Sequence, residues 1–137
     1  MLRFSLAVCA IIAISLLACG SPPRPQPKPR QVGWRPITTF TGRGSLQTES
    51  FNIESTEWRI RWEAKGKTGD FQVMVHSAVS GRPLMEAIHQ QGPGHGIAYV
   101  TEDPRLYHLV VESNDLDWWM AVDEAVVSEG ATPAPAP

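Results

Sequence analysis

The sequence predicts an all-β fold, an antiparallel β-sandwich of about seven or eight strands. Apolar and polar residues alternate in short runs across residues 31–128, and turn-forming residues separate these runs. No long segment repeats its apolar residues with the helical period of about 3.6. The chain of 137 residues is long enough for one domain of this kind.

The strands follow from the alternation, and residues 58–64 give the clearest case. As a strand, this segment places its residues alternately on two faces. One face carries Trp58, Ile60, Trp62 and Ala64, and the opposite face carries Arg59, Arg61 and Glu63. Residues 84–91 are compatible with a strand or a helical turn, and we assign a strand. The remaining predicted strands cover residues 37–41, 46–53, 71–79, 97–102, 106–113 and 117–127.

Two pairs of neighbouring strands are predicted to form hairpins. Residues 58–64 and 71–79 flank a turn at residues 65–70, which contains two glycines. Residues 97–102 and 106–113 flank Asp103 and Pro104. We therefore expect each pair to lie side by side in one sheet.

The N-terminus predicts an export signal. Arg3 provides a positive charge, and residues 6–18 form an apolar run of 13 residues that ends in the small residue Ala18. A membrane-spanning helix needs about 20 residues, so this run is too short to cross a bilayer. A buried core helix is the competing interpretation, but the proline-rich segment that follows continues a helix poorly.

The segment Leu16-Leu17-Ala18-Cys19 resembles the lipobox of bacterial lipoproteins. The resemblance implies cleavage between Ala18 and Cys19 and a diacylglycerol on the Cys19 sulfur, and in many bacteria of that family the new N-terminus is acylated too. Apart from this covalent lipid, we expect no cofactor. Cys9, the second of the two cysteines, would be discarded with the signal peptide. In that family, a glycine such as Gly20 after the cysteine permits sorting to the outer membrane of a Gram-negative cell. The implied location is the cell envelope, lipid-anchored on the extracytoplasmic side of a membrane.

The chain then divides into four parts: a signal peptide at residues 1–18, a lipidated linker at 19–31, the β-sandwich at 32–128 and a tail at 129–137. The linker segment at residues 22–30 has proline at nearly every second position and favours extended polyproline II, which would reach roughly 28 Å. The tail is also proline-rich, and we expect it to be disordered.

The charge of the chain is uneven. Residues 22–30 carry three basic residues and no acid, whereas residues 31–137 carry 8 Lys and Arg against 14 Asp and Glu. This pattern fits two solvated surfaces, or a basic strap near anionic lipid above an acidic domain. The isoelectric point is about 6.1 and no basic stripe is present, so we expect no nucleic-acid partner.

Residues 37–127 also resemble a loosely defined class of small β-sandwich domains in bacterial lipoproteins and secreted proteins. The shared positions are core residues of four strands: Trp58 and Trp62, Phe71, Val73 and Val75, Tyr107, Leu109 and Val111, and Trp118 and Val122. This resemblance implies the fold and no catalytic residue.

Chemical motifs in the domain are few. Its four histidines are His76, His89, His95 and His108; none has metal-motif spacing, although His76 and His108 could share a sheet face and His89 could lie near His95. The glycine-rich stretch at residues 92–96 precedes a strand rather than a helix, so we expect a turn and no phosphate site. Asp115 and Asp117, and Asp123 and Glu124, are expected to be surface charges. We therefore predict no metal site and no enzymatic activity.

The five tryptophans give the best candidates for ligand contact. Trp118 and Trp119 are adjacent in a strand and must face opposite sides, and we expect Trp118 in the core and Trp119 partly exposed. Trp34 lies before the first predicted strand and could pack against the domain edge.

The expected role is binding or scaffolding in the envelope, with a protein partner. A glycan or peptidoglycan ligand at the surface tryptophan is the alternative.

Overall fold

A computed structural model describes residues 20–27 and 30–129 of the chain. Residues 30–129 form nine β-strands, one or two more than the sequence predicts. The predicted signal peptide with Ala18, Cys19 and most of the tail lie outside the described residues. The strands are β1 (Arg30–Arg43), β2 (Leu46–Gln47), β3 (Phe51–Ile53), β4 (Glu57–Lys65), β5 (Asp70–Ser77), β6 (Pro83–Gln91), β7 (Gly94–Thr101), β8 (Arg105–Ser113) and β9 (Asp117–Glu129).

The strands form two antiparallel sheets that pack against each other, which confirms the predicted sandwich. Sheet A has the strand order β1-β9-β4-β7. Sheet B has the order β2-β8-β5-β6, and β3 also pairs with β8. The strand predicted at residues 84–91 is confirmed as β6, whereas the single strand predicted at residues 46–53 is divided into β2 and β3.

Both predicted hairpins are wrong, because the chain changes sheets at each of those turns. β4 lies in sheet A and β5 in sheet B, and the same change occurs between β7 and β8. β4 pairs instead with β7 and β9, and β8 pairs with β5. Among the described residues, the consecutive strands that pair are β5 and β6. Alternation identified the strands correctly, but it carries no information about which sheet each strand joins.

The core lies between the two sheets and is rich in aromatic rings. Trp58 of sheet A and Tyr107 of sheet B are fully buried, with ring centroids 5.1 Å apart. Phe71 of sheet B lies 5.5 Å from Trp62 and 6.2 Å from Trp118, both in sheet A. The alternation predicted for β4 is confirmed, because Trp58, Ile60 and Ala64 are buried while the intervening residues are more exposed.

Two glycines leave space for these large rings. A Cβ atom at Gly42 would lie 2.5 Å from the ring of Trp118, its partner across the β1–β9 ladder. A Cβ atom at Gly96 would lie 3.2 Å from the ring of Trp62. Gly92 has a positive φ of 77° in the turn between β6 and β7. The turn predicted at residues 92–96 is therefore confirmed for residues 92 and 93, whereas residues 94–96 belong to β7.

Residues 20–27 precede the sandwich and are exposed without assigned secondary structure. β1 begins at Arg30, so Trp34 lies within the first strand rather than before it. None of the described residues belongs to a helix that is long and apolar enough to cross a membrane.

Candidate functional site: an aromatic and arginine face on sheet A

The outer face of sheet A carries most of the unusual side chains of the domain. In each strand, the residues between the buried core positions point to this outer face. The pairing of β4 with β7 and β9 brings these outward residues of the three strands side by side. We call this surface the aromatic–arginine face. Its central residues are Trp34, Arg59, Arg61, His95, Ile97, Tyr99, Trp119 and Asp123.

Asp123 lies at the centre of the face and binds two arginines. Its carboxylate accepts a hydrogen bond from Arg59 Nε at 2.9 Å, and two from Arg61, from Nε at 2.8 Å and Nη2 at 3.2 Å. The Asp123 side chain is only 3% exposed, whereas those of Arg59 and Arg61 are 19% and 42% exposed. The buried carboxylate therefore holds two partly exposed guanidinium groups against the sheet.

Protonation of Asp123 is opposed by these partners. Burial raises the pKa of the Asp123 carboxyl, but the hydrogen bonds and charges of Arg61 and Arg59 together outweigh burial and leave that pKa below its ordinary value. The same hydrogen bond to Asp123 raises the pKa of Arg61. The Asp123 carboxylate and the Arg61 guanidinium are thus charged at neutral pH.

Aromatic rings extend this ion-paired centre on both sides. The guanidinium carbon of Arg59 lies 4.2 Å from the ring centroid of Trp34, and the Trp34 ring lies 5.9 Å from that of Tyr99. The guanidinium carbon of Arg61 lies 5.7 Å from the ring centroid of Trp119. These distances are within the range of cation–π contacts, so the rings and the guanidinium groups order one another.

The face is also apolar and open to solvent. Ile97, Tyr99 and Trp119 are exposed large hydrophobic side chains. Val32 and Val127 are exposed too, and they oppose each other two residues beyond the Trp34–Ala125 pair, which places them on the same face. A shallow cavity of about 450 Å³ lies at the Trp119 end, lined by Arg61, Trp62, Glu63, His95, Gly96, Ile97 and Trp119.

The structure confirms the predicted positions of the adjacent tryptophans but not those of two acidic residues. Trp118 is 3% exposed and Trp119 is 36% exposed, as predicted. Trp34 is half-buried and lies on the same outer face as Trp119, so the two candidate contact residues share one surface. The expectation that Asp123 and Glu124 are surface charges is wrong, because both are buried.

Glu124 points to the opposite side of β9 and has a structural role. Its carboxylate accepts hydrogen bonds from Arg35 and from the backbone N–H groups of Glu54 and Ser55, at 2.8 and 3.2 Å. Burial raises the pKa of Glu124, but these hydrogen bonds and the Arg35 charge lower it below its ordinary value. Glu124 therefore fixes the turn between β3 and β4 against β9.

Two histidines meet on the outer face of sheet B. His76 and His108 are paired directly across β5 and β8 with ring centroids 5.1 Å apart, which confirms that they share a face. Burial, and secondarily the charge of His76, lower the pKa of His108. Within residues 20–27 and 30–129, no group of three or more His, Cys, Asp or Glu residues is arranged to hold a metal ion.

Comparisons with known proteins assign no family to the chain. No family model matches it, and no curated protein is similar enough to match. A solved structure of the Gx strain of infectious bursal disease virus is similar over 88% of this chain and 38% of the viral chain, at 12% identity and a TM-score of 0.36. This chain therefore spans well under half of the viral chain, and a likeness at that TM-score carries no argument about function.

The ion pairs of Asp123 can be tested by an Asp123→Asn substitution. The variant removes the charge that both arginines share, and we expect its free energy of unfolding at pH 7 to fall by about 1–3 kcal/mol. Because the folded pKa of Asp123 lies below the unfolded value of about 3.9, the stabilisation is present above about pH 4 and is lost as the pH falls through the folded pKa. Urea unfolding at neutral and acidic pH measures the difference.

Asp117→Asn is the matched control, because Asp117 lies on the same face of β9 in an exposed pair with Arg43. We expect this control to change the free energy of unfolding by less than about 1 kcal/mol. Equal effects of the two substitutions at pH 7 would contradict a structural role for Asp123.

Proposed function

We propose that the chain is a lipid-anchored protein of the cell envelope whose β-sandwich binds a ligand and catalyses no reaction. The lipobox resemblance at residues 16–19 supports a diacylglycerol on Cys19. The proline-rich composition of residues 22–30, and the exposure of residues 20–27, support a tether that holds the sandwich away from the bilayer.

The aromatic–arginine face is the observation that carries the binding role. Contiguous exposed apolar surface on a soluble domain marks an interaction site, and here it surrounds two arginines held in place by a buried carboxylate. Tryptophan, tyrosine and arginine are also the residues that dominate binding energy in characterised interfaces. The ordered guanidinium groups and rings reduce the conformational entropy that binding would cost.

A cell-wall glycan fits the geometry of this face best. The exposed ring of Trp119 borders the shallow cavity of about 450 Å³, where Arg61, Glu63 and His95 supply polar groups. A sugar ring can place its apolar side on an indole while its hydroxyl groups bind such polar side chains. The cavity is open enough to admit part of a polymer from solution.

A protein partner is the second candidate, and a different observation favours it. Val32 and Val127 extend the exposed apolar surface beyond Trp34, along the end of the β1–β9 ladder. A flat apolar extension of this kind suits another protein surface better than a sugar. The two candidates use overlapping but different parts of the face.

Lipidation is tested by labelling with radioactive palmitate and by the intact mass of the mature protein. We expect the wild type to carry label and to begin at Cys19, and a Cys19→Ala variant to carry none. Cys9→Ala is the matched control, because Cys9 lies in the segment that would be removed, and it should be labelled like the wild type. Label retained by Cys19→Ala would contradict the anchor.

Glycan binding is tested by co-sedimentation with purified peptidoglycan. We expect the wild-type sandwich to be retained and Trp119→Ala to lose about two- to tenfold in affinity, since contacts of one aromatic ring contribute about 0.5–1.5 kcal/mol. Leu106→Ala is the control, because Leu106 is similarly exposed but lies in β8 of sheet B. Failure of peptidoglycan to retain the wild type would rule out this ligand and leave the protein partner.

A further inference from the structure

We propose that the ligand of the aromatic–arginine face is an extended glycan that carries acidic groups. This inference rests on the proposed glycan-binding function and adds the charge and the length of the ligand. Its acidic group would bind the Arg59–Arg61 pair, and its sugar rings would lie on the aromatic side chains at either end.

The length of the face indicates a polymer rather than a single sugar. Trp34 is paired with Ala125 of β9, and Trp119 lies six residues away along the same strand. At about 3.3 Å per residue, the two positions are about 20 Å apart. The Tyr99 ring lies 5.9 Å from the Trp34 ring, tilted by 53°, so aromatic surface is present at both ends of this span. A ligand that contacts both ends must therefore be extended along β9.

The centre of the face carries excess positive charge. At this centre one carboxylate, that of Asp123, is shared by two guanidinium groups. The surrounding pairs Arg43–Asp117 and Lys65–Glu63 are balanced, and Glu57, the first residue of β4, adds a carboxylate on the same face, so the excess is local to the two arginines. Among the described residues, the hydrogen bonds to Asp123 come from Nε of Arg59 and from Nε and Nη2 of Arg61. Each guanidinium has five N–H donors, so further donors are available to a second acceptor.

The geometry of these donors suits an anion. A guanidinium forms its strongest hydrogen bonds with carboxylates and phosphates, and stacking on an aromatic ring leaves the edge with the N–H groups free. The guanidinium carbon of Arg59 lies 4.2 Å from the Trp34 ring centroid, and the side chains of Arg59 and Arg61 are 19% and 42% exposed. The single negative charge of Asp123 cannot balance the two positive charges of the arginines. An acidic group of the ligand between the arginines would balance the remaining positive charge.

A groove on the outer face of sheet B, of about 690 Å³, has the opposite character. Its lining includes Asp70, Gln72, His89 and Glu112. It includes two carboxylates and no Lys or Arg, so it would repel an acidic ligand. The contrast assigns an acidic glycan to sheet A.

The test compares polymers that differ in acidic groups. The probes are peptidoglycan with its stem peptides, peptidoglycan stripped of them by an amidase, polygalacturonate and neutral chitin. We expect at least tenfold tighter binding to a carboxylate-bearing polymer than to chitin, with affinity falling as salt concentration rises. Binding to polygalacturonate would place the acidic group on the sugar, and binding only to peptidoglycan with stem peptides would place it on the peptide.

Arg61→Gln should lower affinity for the acidic polymer about tenfold, and affinity for chitin, whose hydroxyl groups Arg61 would also contact, by a smaller factor. Arg61→Lys keeps the charge and should retain most of the affinity, while Arg105→Gln removes a positive charge from sheet B and should have no effect. Thermal unfolding of each variant confirms that it is folded. Equal binding to chitin and acidic polymers, with dependence on Trp119, would overturn this inference and preserve the proposed function. Binding to none of the polymers would overturn both.

Discussion

The organisation of the candidate site depends on one buried carboxylate, that of Asp123 in β9. A buried charge is tolerated only when it is paired and hydrogen-bonded, and Asp123 meets this requirement through two arginines of the neighbouring strand β4. The arginines in turn lie beside Trp34 and Trp119. The register of β4 with β9 therefore positions Asp123, its two arginines and Trp119, and the pairings of β1 with β9 and of β7 with β4 add Trp34 and Tyr99 to the outer face of sheet A.

The next residue of β9, Glu124, shows why this strand is central to the whole sandwich. It points to the other side of the sheet and binds Arg35 of β1 and the backbone that leads from β3 to β4. Two consecutive carboxylates thus connect β9 to its neighbouring strands and to the chain entering from sheet B. Trp118 and Met120, also in β9, supply part of the core between the sheets.

The alternation of apolar and polar residues predicted those features of the structure that depend on a single strand. It identified the buried and exposed faces of β4, and it separated Trp118 from Trp119, because neighbouring residues of a strand face opposite ways. It failed for the predicted hairpins and for Asp123, which depend on partners distant in the chain. Asp123 is 62 residues from Arg61, and only the β4–β9 pairing brings them together. Two arginines on the outer face of one predicted strand, Arg59 and Arg61, indicate that an acidic partner lies nearby. The sequence alone does not identify Asp123 as that partner.

The proposed anchor and the proposed ligand surface have complementary roles: the lipid would hold the protein at a membrane, and sheet A would contact the wall. The ligand would therefore bind to this face rather than to the sheet B groove. NMR chemical-shift mapping with a soluble peptidoglycan fragment distinguishes the two surfaces. We expect shifts at the indole N–H groups of Trp34 and Trp119 and at Arg61 Nε–H. Shifts confined to the sheet B groove, around Gln47, Gln72 and Glu112, would contradict binding to this face.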